Sequence, residues 1–209
     1  MTIYKEFTDE EKAILESHVL WLEGSDKGKR ADFSGRNLSN KDFSGRDLCD
    51  SDFRLAILDN CNFETCKLFS ANFRAASMEN VNLKWTNIAC ANFTNSDLSF
   101  ANFEYAYATN ANFDAAFLHN ANFDSIISLY NAIGNSKEIK TIQTDTYNVV
   151  LFGDNIQIGC KKYTISEWES FEDESIIAMD GRTALKWWNE WKDIVLGFAK
   201  ANVSRETCQ

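Results

Sequence analysis

Residues 31–53 read ADFSGRNLSNKDFSGRDLCDSDF, with a bulky apolar residue at every fifth position and small or polar residues almost everywhere between. An α-helix buries one face every 3.6 residues and a half-buried strand every 2, so a sustained spacing of five fits neither. The chain must turn at regular intervals instead. The frame runs through Phe33, Leu38, Phe43, Leu48, Phe53, Leu58, Phe63, Leu68, Phe73, Met78, Leu83, Ile88, Phe93, Leu98, Phe103, Ala108, Phe113, Leu118 and Phe123. That is nineteen units over residues 31–125 without an insertion. Asn or Asp precedes most of these residues, as in Asp32, Asn37, Asp42, Asn62, Asn82, Asn102 and Asn122. Their short side chains bond nearby backbone and favour turns. Two residues before the apolar one, the later units carry a small side chain: Ala71, Ala91, Ala101, Ala111, Ala121.

This pattern resembles the pentapeptide-repeat family, whose motif reads A(D/N)(L/F)xx, over about 95 of the 209 residues. The resemblance implies a mainly β fold, a right-handed quadrilateral β-helix in which four pentapeptides make one square coil. Taking every twentieth residue tests that geometry, because each column should then be homogeneous. One wall stacks Phe33, Phe53, Phe73, Phe93 and Phe113, and the opposite wall Phe43, Phe63, Leu83, Phe103 and Phe123. Leu38, Leu58, Met78, Leu98 and Leu118 form a third column, and Leu48, Leu68, Ile88 and Ala108 a fourth. Large residues on two walls with smaller ones between them fill a narrow interior. Nearly five coils at roughly 4.8 Å each make a rod about 23 Å tall.

Open coils expose unpaired backbone and an apolar cross-section, so both ends need covers. In the expected amino-terminal unit, residues 1–30, Thr8-Asp9-Glu10-Glu11 is a capping box for a helix over residues 8–23. Leu15, Val19 and Leu22 share a face that should lie on the first coil. Arg36, Lys41 and Arg46 occupy normally small inward positions and are expected to bend outward. Residues 126–209 form the third unit. IKTIQTDTYNVVLFGDNIQIGC alternates like strands, with Gly153-Asp154-Asn155 as a turn, and two helical segments follow. The last places Ala184, Trp188, Trp191, Val195 and Phe198 on one stripe flanked by Trp187 and Ile194. Trp168, Trp187, Trp188, Trp191 and Val195 are therefore candidates either for closing the coil or for an oligomer interface such as a homodimer. The IQIGC-like strand resembles tails on phage-encoded pentapeptide proteins.

No cleavable apolar amino terminus or membrane-length apolar run is present, so the expectation is a soluble cytoplasmic protein with no membrane partner. Six cysteines without a CxxC pair read as packing thiols rather than disulfides or a metal site. The net charge of −10 is spread along the chain, with 5 basic and 7 acidic residues before residue 31, 7 and 12 in the repeats, and 9 and 12 afterwards. This argues against direct nucleic-acid binding, which needs clustered Lys and Arg.

The search for catalysis is short. His18 and His119 read as solvated, and no phosphate loop or nucleophile motif occurs, so neither an enzyme nor a cofactor is expected. Glu64, Lys84 and Glu104 form one outward column, an alternating salt ladder, while the Asp59/Glu79 and Arg54/Arg74 stacks should pair across a corner.

Two surfaces remain. Trp85 and Tyr105 share an outward column, with Tyr107 around the next corner and Phe69 on that following face, a candidate partner surface unless the carboxyl-terminal module folds over it. Between Trp85 and Asp124 there are four carboxylates, Asp97, Glu104, Asp114 and Asp124, and no Lys or Arg. They are a candidate acidic surface, because the resemblance implies DNA mimicry and DNA gyrase as a partner. The functional expectation is a noncatalytic protein that binds and inhibits or modulates gyrase or another host factor. The alternative is a scaffold that presents or multimerises the carboxyl-terminal module.

Overall fold

The pentapeptide period closes a ladder. In the computed structural model, which describes residues 4–206, parallel bridges join each unit to the one twenty residues on, from Asp32 with Asp52 to Asn102 with Asn122. Four five-residue faces therefore make each coil. On each face the N–H of the inward residue meets the carbonyl of the coil above, as from Phe73 to Asn92 at 2.7 Å, and the N–H of the bridge residue just before it returns to the coil below, as from Asn72 to Ser51 at 2.9 Å. The Asn and Asp side chains behave as their chemistry demands. Asn62 Oδ1 accepts the Glu64 N–H at 3.1 Å, Asn82 Oδ1 that of Lys84 at 3.1 Å, and Asn82 Nδ2 donates to Asn62 Oδ1 at 3.0 Å.

Inside, the phenylalanines meet in two ways. Along one wall Phe33, Phe53, Phe73, Phe93 and Phe113 stack with centroids 5.0 to 5.2 Å apart. Rings of the facing wall meet them edge-on, Phe53 to Phe63 at 5.8 Å and 88°. Stacking in the column and edge-to-face contact across it are both favourable arrangements of aromatic quadrupoles. These walls are fully buried except at Phe123 in the last coil, which is partly buried, and Leu38, Leu58, Met78 and Leu98 between them are fully buried.

The amino-terminal cover is more polar than its sequence suggests. Helix α1 (Asp9–Leu22) starts with the expected capping box, Thr8 with Glu11. Its coil-facing residues, however, are Glu11, Leu15 and His18, while Val19 is 52% exposed and Leu22 is also exposed. Lys41 does not bend outward to water. It is buried under the helix, where Nζ lies 2.8 Å from Glu11 Oε2 and also donates to the Glu6 carbonyl. Arg36 and Arg46 do turn out, Arg36 to Glu10 at 2.7 Å and Arg46 over the Phe7 ring. His18 is buried, not solvated, because its ring nitrogens serve the first coils. Nδ1 accepts the Ala31 N–H at 3.1 Å, and Nε2 lies 3.4 Å from Ser51 Oγ.

At the other end the ladder does not stop at residue 125, the boundary read from the sequence. After one extra residue it resumes as Tyr107 with Ser128 and Asn112 with Ile133, and Ile126 and Leu129 fill the interior. Gly134 follows at the place in the Phe column where the next ring would stand. A Cβ there would come within 2.1 Å of the Ile139 carbonyl oxygen, so the glycine is what lets the next strand cross the open coil.

Four antiparallel strands form that cover in the order β1 (Ile139–Gln143), β2 (Asn148–Phe152), β3 (Asn155–Ile158), β4 (Lys161–Thr164). One face lays Ile139, Val150 and Phe152 on the coil interior. The same face supplies Gln157, whose Oε1 accepts the Leu129 N–H at 2.8 Å and whose Nε2 donates to Ser128 Oγ at 3.3 Å. Lys162 adds a bond to the Ile126 carbonyl, and burial pushes its ammonium pKa down. The opposite face, Val149, Leu151, Ile156 and Ile158, packs under α2 (Ile165–Ser170) and α3 (Asp173–Glu206) as a separate core.

Candidate functional site

Each pentapeptide closes with a residue in the left-handed region. Gly35, Gly45 and many Asn positions take this conformation readily, as glycine and short amides do. Trp85 and Tyr105, both at φ 57°, do not belong to those types. Being one coil apart in the same corner column, they stack with centroids 4.1 Å apart and planes 14° from parallel. Trp85 remains 51% exposed, and the Tyr105 ring is half-buried against it.

Tyr107 lies exposed just around the corner, and Phe69 is exposed two coils below it on the same face. The carboxyl-terminal module does not cover this corner, since its sheet sits on the coil end. Sequence reasoning missed Ile127 and Tyr130, which extend the exposed apolar surface into the last coil. The apolar frame ends at Phe123, with Ser128 where the next inward apolar residue would stand, so positions beyond 125 were not assigned to columns. Phe117, 65% exposed, and Phe100 are the aromatic members of other columns.

The four acidic candidates do not form one surface. Asp97 stands on one face, with its Oδ1 accepting the Ser99 N–H at 3.0 Å, and Asp114 on another. Glu104 and Asp124 share a third, but Glu104 is paired with Lys84 at 2.6 Å. That pair forms the upper half of the expected ladder; Glu64 instead accepts from Asn82 Nδ2 at 3.1 Å. The Asp59/Glu79 and Arg54/Arg74 stacks do not pair across the corner. Arg54 binds Asp52 at 2.6 Å on its own face, which holds the Asp52 carboxyl below its ordinary range, while Asp59 accepts from Ser77 and the Glu79 N–H.

The tryptophan candidates are consumed inside the carboxyl-terminal module. Trp168, Trp187, Trp188 and Val195 are buried in its core, and Trp191 packs against them, so they do not lie on the coil directly. Phe198 and Ile194, expected at this stripe, are exposed instead. Burial pushes the thiols of Cys61 and Cys66 up to about 12, and each donates to a coil carbonyl, Leu38 at 3.0 Å and Phe43 at 2.8 Å. Among the described residues no group of three or more His, Cys, Asp or Glu stands together as a metal site, and no helix is long and apolar enough to cross a membrane.

The family model for pentapeptide repeats matches 8 copies, over residues 29–64, 66–99 and 91–126. The coil is a pentapeptide-repeat domain. Membership implies a right-handed sense for the β-helix. Among solved structures, a pentapeptide repeat protein from the thylakoid lumen of Arabidopsis thaliana is similar at 29% identity, covering 54% of this chain and 71% of that one with a TM-score of 0.35. HetL, a pentapeptide repeat protein involved in heterocyst differentiation regulation in Nostoc sp. strain PCC 7120, shares 21% identity over 51% of this chain and 58% of its own, with a TM-score of 0.29. QnrB1, a plasmid-mediated fluoroquinolone resistance protein, shares 18% over 50% and 66%, with a TM-score of 0.26. The family assignment rests on the repeats and not on these superpositions. No curated protein matches the chain.

Proposed function

We propose that this pentapeptide-repeat protein is a noncatalytic interaction protein that binds a partner protein through the corner built by Trp85 and Tyr105, extended by Tyr107, and so inhibits or modulates that partner. The observation that carries the reading is the exposed Trp85–Tyr105 stack in left-handed positions. Asn or Gly would sit there with less backbone strain, and neither ring fills the interior, so local stability does not account for the pair. Large aromatics with one wet face are the residue types on which interface energy concentrates. Apolar contact is favoured over acidic mimicry because the four carboxylates are dispersed and one of them is neutralised by Lys84. DNA gyrase is the first target to test; a phage origin and a host partner belong to the same proposal.

The test compares two variants against purified gyrase in a supercoiling assay, and against captured partners from a bacterial lysate. Trp85→Ala with Tyr105→Ala should weaken binding at least tenfold and leave little salt dependence in what remains. Joint replacement of Asp97, Glu104, Asp114 and Asp124 by Asn, Gln, Asn and Asn should weaken it less. The reverse order, with binding that falls steeply as salt screens charges over ~10 Å at 0.1 M, overturns apolar contact in favour of mimicry. A second reading is a scaffold that presents the carboxyl-terminal module. It is supported by that module's own core on the outer face of the sheet, and it requires partner capture to survive the corner double variant.

A further inference from the structure

Between the outer face of the sheet and the two helices lies a cavity of about 190 Å³. Its walls are mostly apolar: Ile158, Trp168, Ile176, Ala184, Trp187 and Trp188. For scale, a dry cavity of about 150 Å³ accepts benzene, so this one holds a ring of benzene to indole size. Three indoles line it, and two are satisfied. Trp168 Nε1 donates to the Ile156 carbonyl at 2.9 Å, and Trp187 Nε1 to Thr144 Oγ1 at 2.8 Å. Trp188 is 3% exposed, and its Nε1 is buried without an acceptor among the described residues. Trp191 Nε1 is also without one, but that residue does not line the cavity. A buried N–H with no acceptor costs about 1–3 kcal/mol. Such groups in folded proteins have a reason, and a bound acceptor is one.

The mouth of the cavity is built as well. Helix α3 breaks at Asp180 and Gly181, where Gly181 takes φ 68° and ψ −161°, a conformation available almost only to glycine. The break turns Asp180 to Tyr147, whose hydroxyl donates to Asp180 Oδ2 at 2.5 Å. Both residues line the opening, with Met179 as an adaptable wall and Lys161 on the rim. An unbroken helix would have no such seam beside the void.

We propose that the carboxyl-terminal module binds one flat aromatic molecule of benzene to indole size carrying a hydrogen-bond acceptor oxygen, which takes the Trp188 N–H. The apolar walls supply affinity and the single donor supplies selection, the usual division of labour in small-molecule sites. This site is independent of the Trp85 corner.

Acetophenone and ethylbenzene are the probes, since they share one carbon skeleton and differ in the carbonyl oxygen. Indole N–H resonances of the ¹⁵N-labelled full chain give the readout, with Trp188 assigned by its disappearance in Trp188→Phe. Acetophenone should shift the Trp188 signal downfield and bind at least fivefold more tightly than ethylbenzene. In Trp188→Phe that ratio should fall to about one. Ala184→Leu, which fills the void, should abolish binding of both probes while leaving the melting temperature unchanged or higher. An unmoved Trp188 signal at several millimolar acetophenone, or equal affinity of the two probes for the parent, overturns the proposal. The parent measurements decide it even if a variant fails to fold.

Discussion

At its amino end the coil offers an ammonium to a carboxylate and meets an imidazole, whereas at its carboxyl end it meets an amide, one lysine and the apolar face of a sheet. Both covers solve the same problem, since the terminal coil of a ladder leaves N–H and C=O groups that burial would otherwise orphan. At the first coil, Lys41 and Glu11 are paired under α1 while His18 accepts the Ala31 N–H. At the last, Gln157 caps the Leu129 N–H and Lys162 the Ile126 carbonyl, under a sheet that also fills the open cross-section. The lesson is that a repeat solves its interior once, by column, and its ends separately, by whatever polar groups reach. Because Glu11 and His18 titrate and Gln157 does not, the two ends should respond differently to acid.

The largest effect is expected where neither cover can help. Phe73→Asp places an unpaired charge in the middle of the stacked column and should remove about 4 kcal/mol or more, to the point of unfolding both ends together. A melting temperature within a degree or two of the parent would break the column model itself.

Next is the charged amino-terminal cover. Lys41→Met leaves Glu11 buried without its cation and should cost about 3–5 kcal/mol in denaturant unfolding. Adding Glu11→Leu should recover most of that loss. If the double variant is no better than the single, the pair is not what closes this end. Gln157→Leu at the neutral end should cost less, about 1–3 kcal/mol, by orphaning the Leu129 N–H. A larger loss there than for Lys41→Met would reverse the contrast between the ends.

Acid sharpens the contrast further. Burial, first of all, lowers the His18 pKa from its ordinary 6.5, with Arg30 acting the same way and Asp47 and Asp50 opposing. The unfolded chain therefore takes up a proton near pH 6.5 that the folded ring refuses, so the stability His18 contributes is present above that pH and is lost as the pH falls below it. Glu11 follows at lower pH. Burial alone would raise its carboxyl, but Lys41 and Thr8 together hold it below the ordinary 4.5, and its contribution is lost as acid protonates it. Hydrogen exchange at pH 7 and pH 5 should show the Ala31 amide losing protection while the Leu129 amide keeps it. His18→Asn should flatten the dependence in that window, and equal loss at both amides would erase the distinction. The smallest effect belongs to the corner. In Trp85→Asn the lost stack, about 1 kcal/mol, is offset by a relaxed left-handed backbone, so thermal stability should stay nearly unchanged.

The coil was legible because a period of five is a property of the text, and the columns of Phe33 and Phe43 could be stacked by arithmetic alone. The covers were not, because they are solved once and leave no repetition to count. Lys41 and His18 look solvated in the sequence, and only the geometry of α1 over the first coils turns them inward. Ile127 and Tyr130 escaped the reading of the partner surface for the related reason that Ser128 interrupts the apolar frame, so the residues around it were not counted as part of the coil. The tryptophan stripe and the strands before it were both read, but not that the strands lie between the stripe and the coil, because no periodicity says which face of a sheet meets which core.

The four-faced coil also fixes how this molecule can change its length. A duplication of twenty residues adds one storey, about 4.8 Å, and returns the chain to the same wall, so both covers still meet the side chains they were shaped for. A gain of five residues instead swings everything downstream through a quarter turn about the rod axis. The carboxyl-terminal module would then look out over a different wall from the one that carries Trp85. Insertions in this chain thus work as a four-position dial, on which only whole revolutions leave its two ends facing as they did.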